Sequence, residues 1–221
     1  MPGSNRLMLN FLQRVIPNWP KIVGYVGSGQ NGMVYKMDNG RLLKFVYGNA
    51  SVEVNALKRL ANSGISPKLW NSKIVNVNAN TSKQFRNEAF PKKNIQNKIS
   101  LILMNNVKIY SDRINPRGNV MTLGSYIRNY ANSNRVNIGN RVLKLMNVMH
   151  GLGVYHRNLH TDNVLVAVDD KGKLTGVWII DFGRSRTFPR GNKKNNTPNG
   201  RIGNVGNVGA TKKYTRWLQN A

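Results

Sequence analysis

Cysteine is absent from the 221 residues, which excludes disulfides and thiolate metal sites and suits an intracellular setting. Acids are nearly as scarce, with eight Asp and Glu against 34 Lys and Arg. Long apolar runs are missing too. Runs such as Leu101 to Met104 and Val177 to Ile180 are strand-sized and far short of a membrane span. The amino terminus shows no charged-then-apolar stretch ending in a small-residue cleavage site, so no secretory leader is expected.

Positive charge is plentiful. A formal balance of +26 attracts polyanions, and a nucleic acid or an acidic protein is the expected partner. No aromatic-interleaved basic motif points to base readout. Asparagine is abundant, in tracts such as Asn76 to Asn80 and Asn192 to Asn199. With frequent Lys and Ile, that composition fits an AT-rich genome.

The chain is long enough for one real hydrophobic core. Residues 5–16 place Leu7, Leu9, Phe11, Leu12, Val15 and Ile16 at roughly helical spacing, closed by Pro17 and Pro20. Strands are expected over 22–27, 33–37 and 41–47, with Asp38-Asn39-Gly40 as a hairpin turn. A helix is expected at 50–62, with Val52, Val54, Leu57 and Leu60 as its apolar face. Residues 76–98 are Asn- and Lys-rich and read as a loop, and Ser100 to Met104 reads as a strand. Helices are expected at 122–131 and 138–151, the second with a stripe of Val142, Leu143, Leu145, Met146 and Met149. Two strands follow at 164–168 and 174–180, joined by Asp169 to Gly172. Residues 184–221 hold nine Lys and Arg and no acid; they read as a mobile basic segment with a short helix at 211–219. A strand-rich first half and a helical second half make the fold class α+β.

Five sequence features carry the chemistry. Gly27-Ser28-Gly29-Gln30-Asn31-Gly32-Met33-Val34 lies between two expected strands, and its glycines let backbone N–H groups approach phosphates without a Cβ in the way. Lys44 stands inside an apolar run (Leu42, Leu43, Phe45, Val46), where an ammonium must snorkel or meet an anion. Glu53 is the only acid on the 50–62 helix. Last come His156-Arg157-Asn158-Leu159-His160-Thr161-Asp162-Asn163 and Asp181-Phe182-Gly183.

In that order these clusters resemble a divergent, truncated protein kinase of the eukaryotic, Ser/Thr-like type, over roughly residues 20–187. The resemblance implies a minimal bilobal fold: an antiparallel-sheet N-lobe at 21–107 and a reduced helical C-lobe at 108–187. A helical extension (1–20) and a basic Gly/Asn-rich tail (188–221) flank them. It implies ATP and Mg²⁺ as cofactors. Gly27, Ser28, Gly29, Gly32 and Val34 would cover the nucleotide, and Lys44 would contact the α/β-phosphates and pair with Glu53. Met104 and Asn106, in a hinge at 104–107, would meet the adenine, and Asn163 and Asp181 would hold the metal. Small size, divergence and asparagine content point to a large DNA virus, hence to host cytoplasm, nucleus or virion.

The chain departs from that family in specific places. Asn158 stands where the family's H-R-D pattern has the aspartate that receives the substrate proton, and a neutral amide cannot accept one. Losing a general base costs on the order of 10²–10⁴ in rate. Leu42 replaces a small residue two before the lysine, and His160 replaces the usual lysine of H-R-D-L-K. Asp162 is the nearest carboxylate but is expected to point elsewhere. The family's A-P-E motif and the helices beyond it have no counterpart, so a partner protein or a second copy is expected to cover the 138–151 helix. The expected function is an Mg-ATP-binding, kinase-like protein with impaired transfer. The alternatives are an active Ser/Thr kinase, virion-packaged, or a basic packaging protein reusing the fold. Autophosphorylation at Ser185, Thr187 or Thr197 would favour the active kinase.

Overall fold

The computed structural model describes residues 3–29, 32–90, 93–107, 119–130 and 135–189. The chain divides into two compact units, residues 1–51 with 69–106 and residues 52–68 with 107–221. All strand pairing is antiparallel, and with five α-helices among the described residues the architecture is mixed α and β.

The first unit is built on one sheet of order β1-β2-β3-β5-β4, formed by β1 (Ile22–Gly29), β2 (Gly32–Met37), β3 (Leu42–Tyr47), β4 (Leu69–Asn76) and β5 (Lys98–Met104). The turn expected at 38–40 is present: Gly40 takes φ +79°, and Met37 N donates to Arg41 O at 2.9 Å. Alternation then sorts the strand residues onto two faces. Tyr35, Leu43, Phe45, Ile99, Leu101 and Leu103 enter the core on one face. There they meet Met8, Phe11, Leu12 and Ile16 from α1 (Gly3–Val15) and its following turn. The helix expected at the amino terminus is thus a component of this core. Phe11 meets the Phe85 ring edge-on at 5.1 Å, a geometry that aromatic quadrupoles favour.

Residues 76–98 are not the loop that their composition suggests. They contain α3 (Ala79–Glu88), capped by Asn78 Oδ1, which accepts from Thr81 N at 2.8 Å. Its inward face is Phe85 and Ser82, both essentially fully buried. The Tyr47 hydroxyl donates to Ser82 O at 2.9 Å, and the serine's own hydroxyl donates to Gln96 O. A buried hydroxyl paired 35 residues away leaves no apolar stripe to read. Strand β4 also goes beyond the sequence expectation, and it owes its place to pairing with β5 along Leu69 to Asn76.

The second unit takes α2 from Val52 onward (helix Ser51–Leu60), β6 (Asn119–Thr122), α4 (Leu123–Asn129) and α5 (Arg135–Gly151). It also holds β7 (Val154–Tyr155), β8 (Val164–Val168), β9 (Leu174–Ile179) and β10 (Arg186–Thr187). The sheets are β6-β8-β9 and β7-β10; β6 lies outside the expected strands. The β8–β9 turn is closed by Asp169 Oδ1, which accepts from Lys171 N at 3.0 Å and Lys173 N at 2.7 Å. On α5, Val142, Met146 and Met149 are buried as expected, while Leu143 and Leu145 are half-buried. On α2 the expected face is rotated: Val52 is 43% exposed and Glu53 is buried beside Val54, Ala56, Leu57 and Leu60.

No helix among the described residues is long and apolar enough to cross a membrane. The expected helix at 211–219 and nearly all of the basic tail lie outside the described residues.

Candidate nucleotide and phosphate site

In the first unit, the expected nucleotide residues share the sheet face opposite the aromatic core. Val34 pairs with Lys44, and Lys44 with Ile102; Leu42 pairs with Met104. Lys36 also pairs with Leu42, so period-two alternation places Val34, Lys36, Leu42, Lys44, Ile102 and Met104 on one face, an apolar surface carrying two lysines. Asn105 and Asn106 follow directly. Asn105 Oδ1 receives the indole N–H of Trp70, and Arg41 stacks 3.6 Å above the Trp70 ring.

The glycine run forms the β1–β2 hairpin, with Gly27 opposite Val34, Ser28 opposite Met33 and Gly29 opposite Gly32. Gln30 and Asn31 lie outside the described residues. The three glycines differ in why they are glycine. A Cβ on Gly32 would collide with the Phe45 carbonyl of the neighbouring strand, so close strand approach explains it. Gly27 and Gly29 have open space around the missing Cβ, and neither is among the positive-φ residues. Among the described residues, neither packing nor a positive φ demands glycine at 27 or 29.

The second unit assembles the two loops. His156 is fully buried, its Nε2 lies 2.8 Å from Ile180 O, and its ring sits 4.9 Å from Phe182. It therefore ties the catalytic-loop strand end to the Asp181 turn, as expected for a structural histidine. Ile180 N donates to Asn163 O at 3.0 Å, completing the link. Asn163 is 6% exposed, and its Nδ2 donates to the Asn158 carbonyl at 2.9 Å. Asn158, Asn163 and Asp181 are thereby held in one hydrogen-bonded frame. Arg157 and Asp181 carry φ of 64° and 62°. Left-handed backbone at non-glycine residues costs on the order of 1 kcal/mol each and collects at functional sites.

Glu53 is 4% exposed. A Cβ built on Gly183 would lie 3.6 Å from Asp181 Oδ1 and 3.8 Å from Glu53 Oε2. The glycine after Phe182 thus lies between a buried and an exposed carboxylate.

Sequence reasoning missed two supports. His160 Nε2 lies 3.1 Å from Asn163 Nδ2, and Gly124 on α4 lies under the loop. A Cβ on Gly124 would come within 2.7 Å of Asp162 Oδ1 and 3.2 Å of Thr161 Oγ1. Asp162 itself is largely exposed and leans toward His160 Nδ1 at 3.8 Å, away from a base position. Gly124→Val is expected to displace the 161–163 turn and weaken nucleotide binding at least about tenfold, read by titration calorimetry, while Gly124→Ala has a smaller effect.

Beyond Gly183 the chain pairs β10 with β7, and Phe188 N donates to Gly153 O at 2.8 Å. Ser185 is 4% exposed and its hydroxyl has no hydrogen-bond partner among the described residues, so this conformation does not present it to a kinase. His150 stacks on Tyr155 at 4.6 Å, and burial pushes its imidazole down to about 4. An unfolded histidine titrates near 6.5. Between those values the unfolded chain binds more protons, so this contribution is complete above about 6.5 and declines as pH falls toward 4. His150→Phe keeps the stack and is expected to flatten the acid side of a Tm-against-pH profile.

Each unit is compatible with a protein-kinase-like fold: the first has a glycine hairpin beside a strand lysine, and the second has a buried helix glutamate near an Asp-Phe-Gly turn joined to an asparagine-bearing loop. A family model for lipopolysaccharide kinases of the Kdo/WaaP family matches residues 113–199, which take in that loop and turn. The match supports a protein-kinase-like fold and a kinase-like phosphotransfer family, and with it ATP use in general. The matched family is one of lipopolysaccharide kinases, and it lends no support to the expected eukaryotic Ser/Thr type or viral source. A search of curated proteins finds no match to the chain.

Proposed function

We propose that the chain is a kinase-like protein that binds ATP with a divalent cation and transfers phosphate slowly or not at all. The observation that carries this reading is the hydrogen-bonded frame holding Asn158, Asn163 and Asp181, with an amide at the proton-acceptor position. Asp181 supplies a carboxylate oxygen and Asn163 an amide oxygen, the hard donors that Mg²⁺ prefers. When bound, the cation would neutralise phosphate charge. Lys44 would meet the phosphates, the open hairpin at Gly27 and Gly29 would admit them, and Val34, Leu42 and Met104 would offer an apolar face to the base.

Asn158 can hydrogen-bond an acceptor hydroxyl but cannot take its proton. Phosphoryl transfer draws most of its acceleration from positioning and electrostatics, so slow transfer survives such a loss. The family match favours a second reading on the acceptor side, a sugar hydroxyl in place of a protein side chain. The +26 charge suits an anionic acceptor or partner of either kind.

The test is thermal unfolding with ATP, with and without Mg²⁺. A ligand bound only by the folded state raises the melting temperature by mass action. A Mg-dependent rise that Lys44→Ala abolishes supports the reading; no rise at millimolar ATP sinks it.

A further inference from the structure

Beyond Gly183 the chain has little of its own to hold it. Strand β10 has two residues and pairs with the two of β7, Arg186 opposite Tyr155 and Thr187 opposite Val154. So short a ribbon is marginal without further support. Ser185 weakens it: its buried hydroxyl has no hydrogen-bond partner among the described residues, and such burial is destabilising. The support converges on Phe188. Its N–H donates to Gly153 O at 2.8 Å, its ring meets Tyr155 edge-on at 5.3 Å, and its carbonyl accepts from Nη1 of Arg59, in the last turn of α2. Gly153 makes room for that bond. Its φ is +71°, and a Cβ there would collide with Phe188 O and lie 2.9 Å from Arg59 Nη1. Glycine at 153 therefore admits carbonyl and guanidinium to the same spot.

We infer that Arg59 and Gly153 clasp Phe188 and so close residues 184–188 as a strap, which opens as one unit while the loop and turn behind it stay folded. The strap begins and ends beside the same helix. At Gly183 it passes Glu53, and at Phe188 it is tied to Arg59; the two lie about 9 Å apart along the axis of α2. A two-residue ladder and a buried, unpaired hydroxyl put the segment at the low end of local stability, and the clasp is what keeps it shut. Opening uncovers Ser185 and the peptide bonds after Arg184 and Arg186. The clasp is defined by these contacts alone and does not depend on the nucleotide reading.

The test is amide hydrogen exchange in the ¹⁵N-labelled full chain without ligand, in wild type, Arg59→Met, Arg59→Lys and Gly153→Ala. Methionine keeps the reach of the side chain and loses its donors; lysine keeps one ammonium to meet the carbonyl. Three amides report. Phe188 N–H sits at the clasp, Ser185 N–H inside the strap on Phe182 O at 2.9 Å, and Ile180 N–H behind it on Asn163 O at 3.0 Å. In Arg59→Met and Gly153→Ala, exchange at Ser185 and Phe188 is expected to quicken together by about tenfold, the scale of one hydrogen bond from a charged donor. Ile180 is expected to keep its wild-type rate, and Arg59→Lys to stay near wild type. Native-state trypsin cleavage after Arg186, read by mass spectrometry, should rise in step, and cleavage after Lys144 in α5 should not. Unchanged exchange at Phe188 in Arg59→Met overturns the clasp. A rise at Phe188 without one at Ser185 overturns the single unit, leaving a frayed end. A rise at Ile180 and Lys144 as well means general loosening and overturns the strap. Should Gly153→Ala fail to fold, the two Arg59 variants decide the matter.

Discussion

Asn158→Asp is expected to raise phosphotransfer by about 10²–10⁴-fold, the range that a positioned general base contributes. At about 1.4 kcal/mol per decade this lowers the barrier by roughly 3–5 kcal/mol. The substitution suits the test because it is isosteric and the loop does not depend on the amide it replaces. Asn163 is held by the backbone carbonyl of residue 158, at 2.9 Å, which any side chain leaves in place. The Asn158 side chain makes one contact at the edge of bonding distance, Nδ2 to His160 Nε2 at 3.5 Å. The readout is release of labelled γ-phosphate to water and its transfer to the protein itself, with Mg-ATP binding measured in parallel. A gain in rate with unchanged affinity places the defect at residue 158. A variant that binds Mg-ATP and stays inert shows that the missing carboxylate is not what limits the chain.

Asp181→Asn is expected to remove most of the Mg-dependent stabilisation by ATP. With ATP at 100 times its dissociation constant, the native state gains about 2.7 kcal/mol. For a chain of this size that corresponds to a rise of roughly 5–10 °C. Loss of a direct carboxylate ligand is expected to weaken cation-linked binding by about 10² or more, beyond what outer-shell changes produce. At the same ATP concentration the rise then shrinks to roughly 1–2 °C. Asparagine is the right replacement because residue 181 sits at φ 62°. Aspartate and asparagine tolerate left-handed backbone better than alanine does, so Asp181→Ala would mix strain with ligand loss. An unchanged shift in Asp181→Asn would exclude this carboxylate from the cation site.

The structure bears out those features of the sequence that are local. Strands β2 and β3 and their turn follow from alternating side chains and Asp38-Asn39-Gly40, each within reach of its neighbours. The Asn158-to-Asn163 spacing gives a compact loop because Asn163 Nδ2 reaches Asn158 O only five residues away, while His156 and Asn163 dock that loop on Ile180. Elsewhere local pattern misled. Helix α3 presents Ser82 to the interior, where Tyr47 from the sheet and the carbonyl of Gln96 offset its burial. On α2 hydropathy favours Val52, yet the structure buries Glu53 and exposes Val52, since charge near the Asp181 turn is decided by tertiary neighbours.

The same division runs through the candidate site. Its chemical inventory was determined by the sequence alone: few carboxylates, a glycine hairpin, one lysine in an apolar strand, and an amide where a base belongs. Only the tertiary structure decided which glycines are spared by packing, that Gly124 underlies the loop, and that His160 caps the 161–163 turn while Asn158 O holds the Asn163 amide. Residue type fixes what a group can donate, accept or charge; the direction in which it does so depends on partners that the folded chain alone brings within three ångströms.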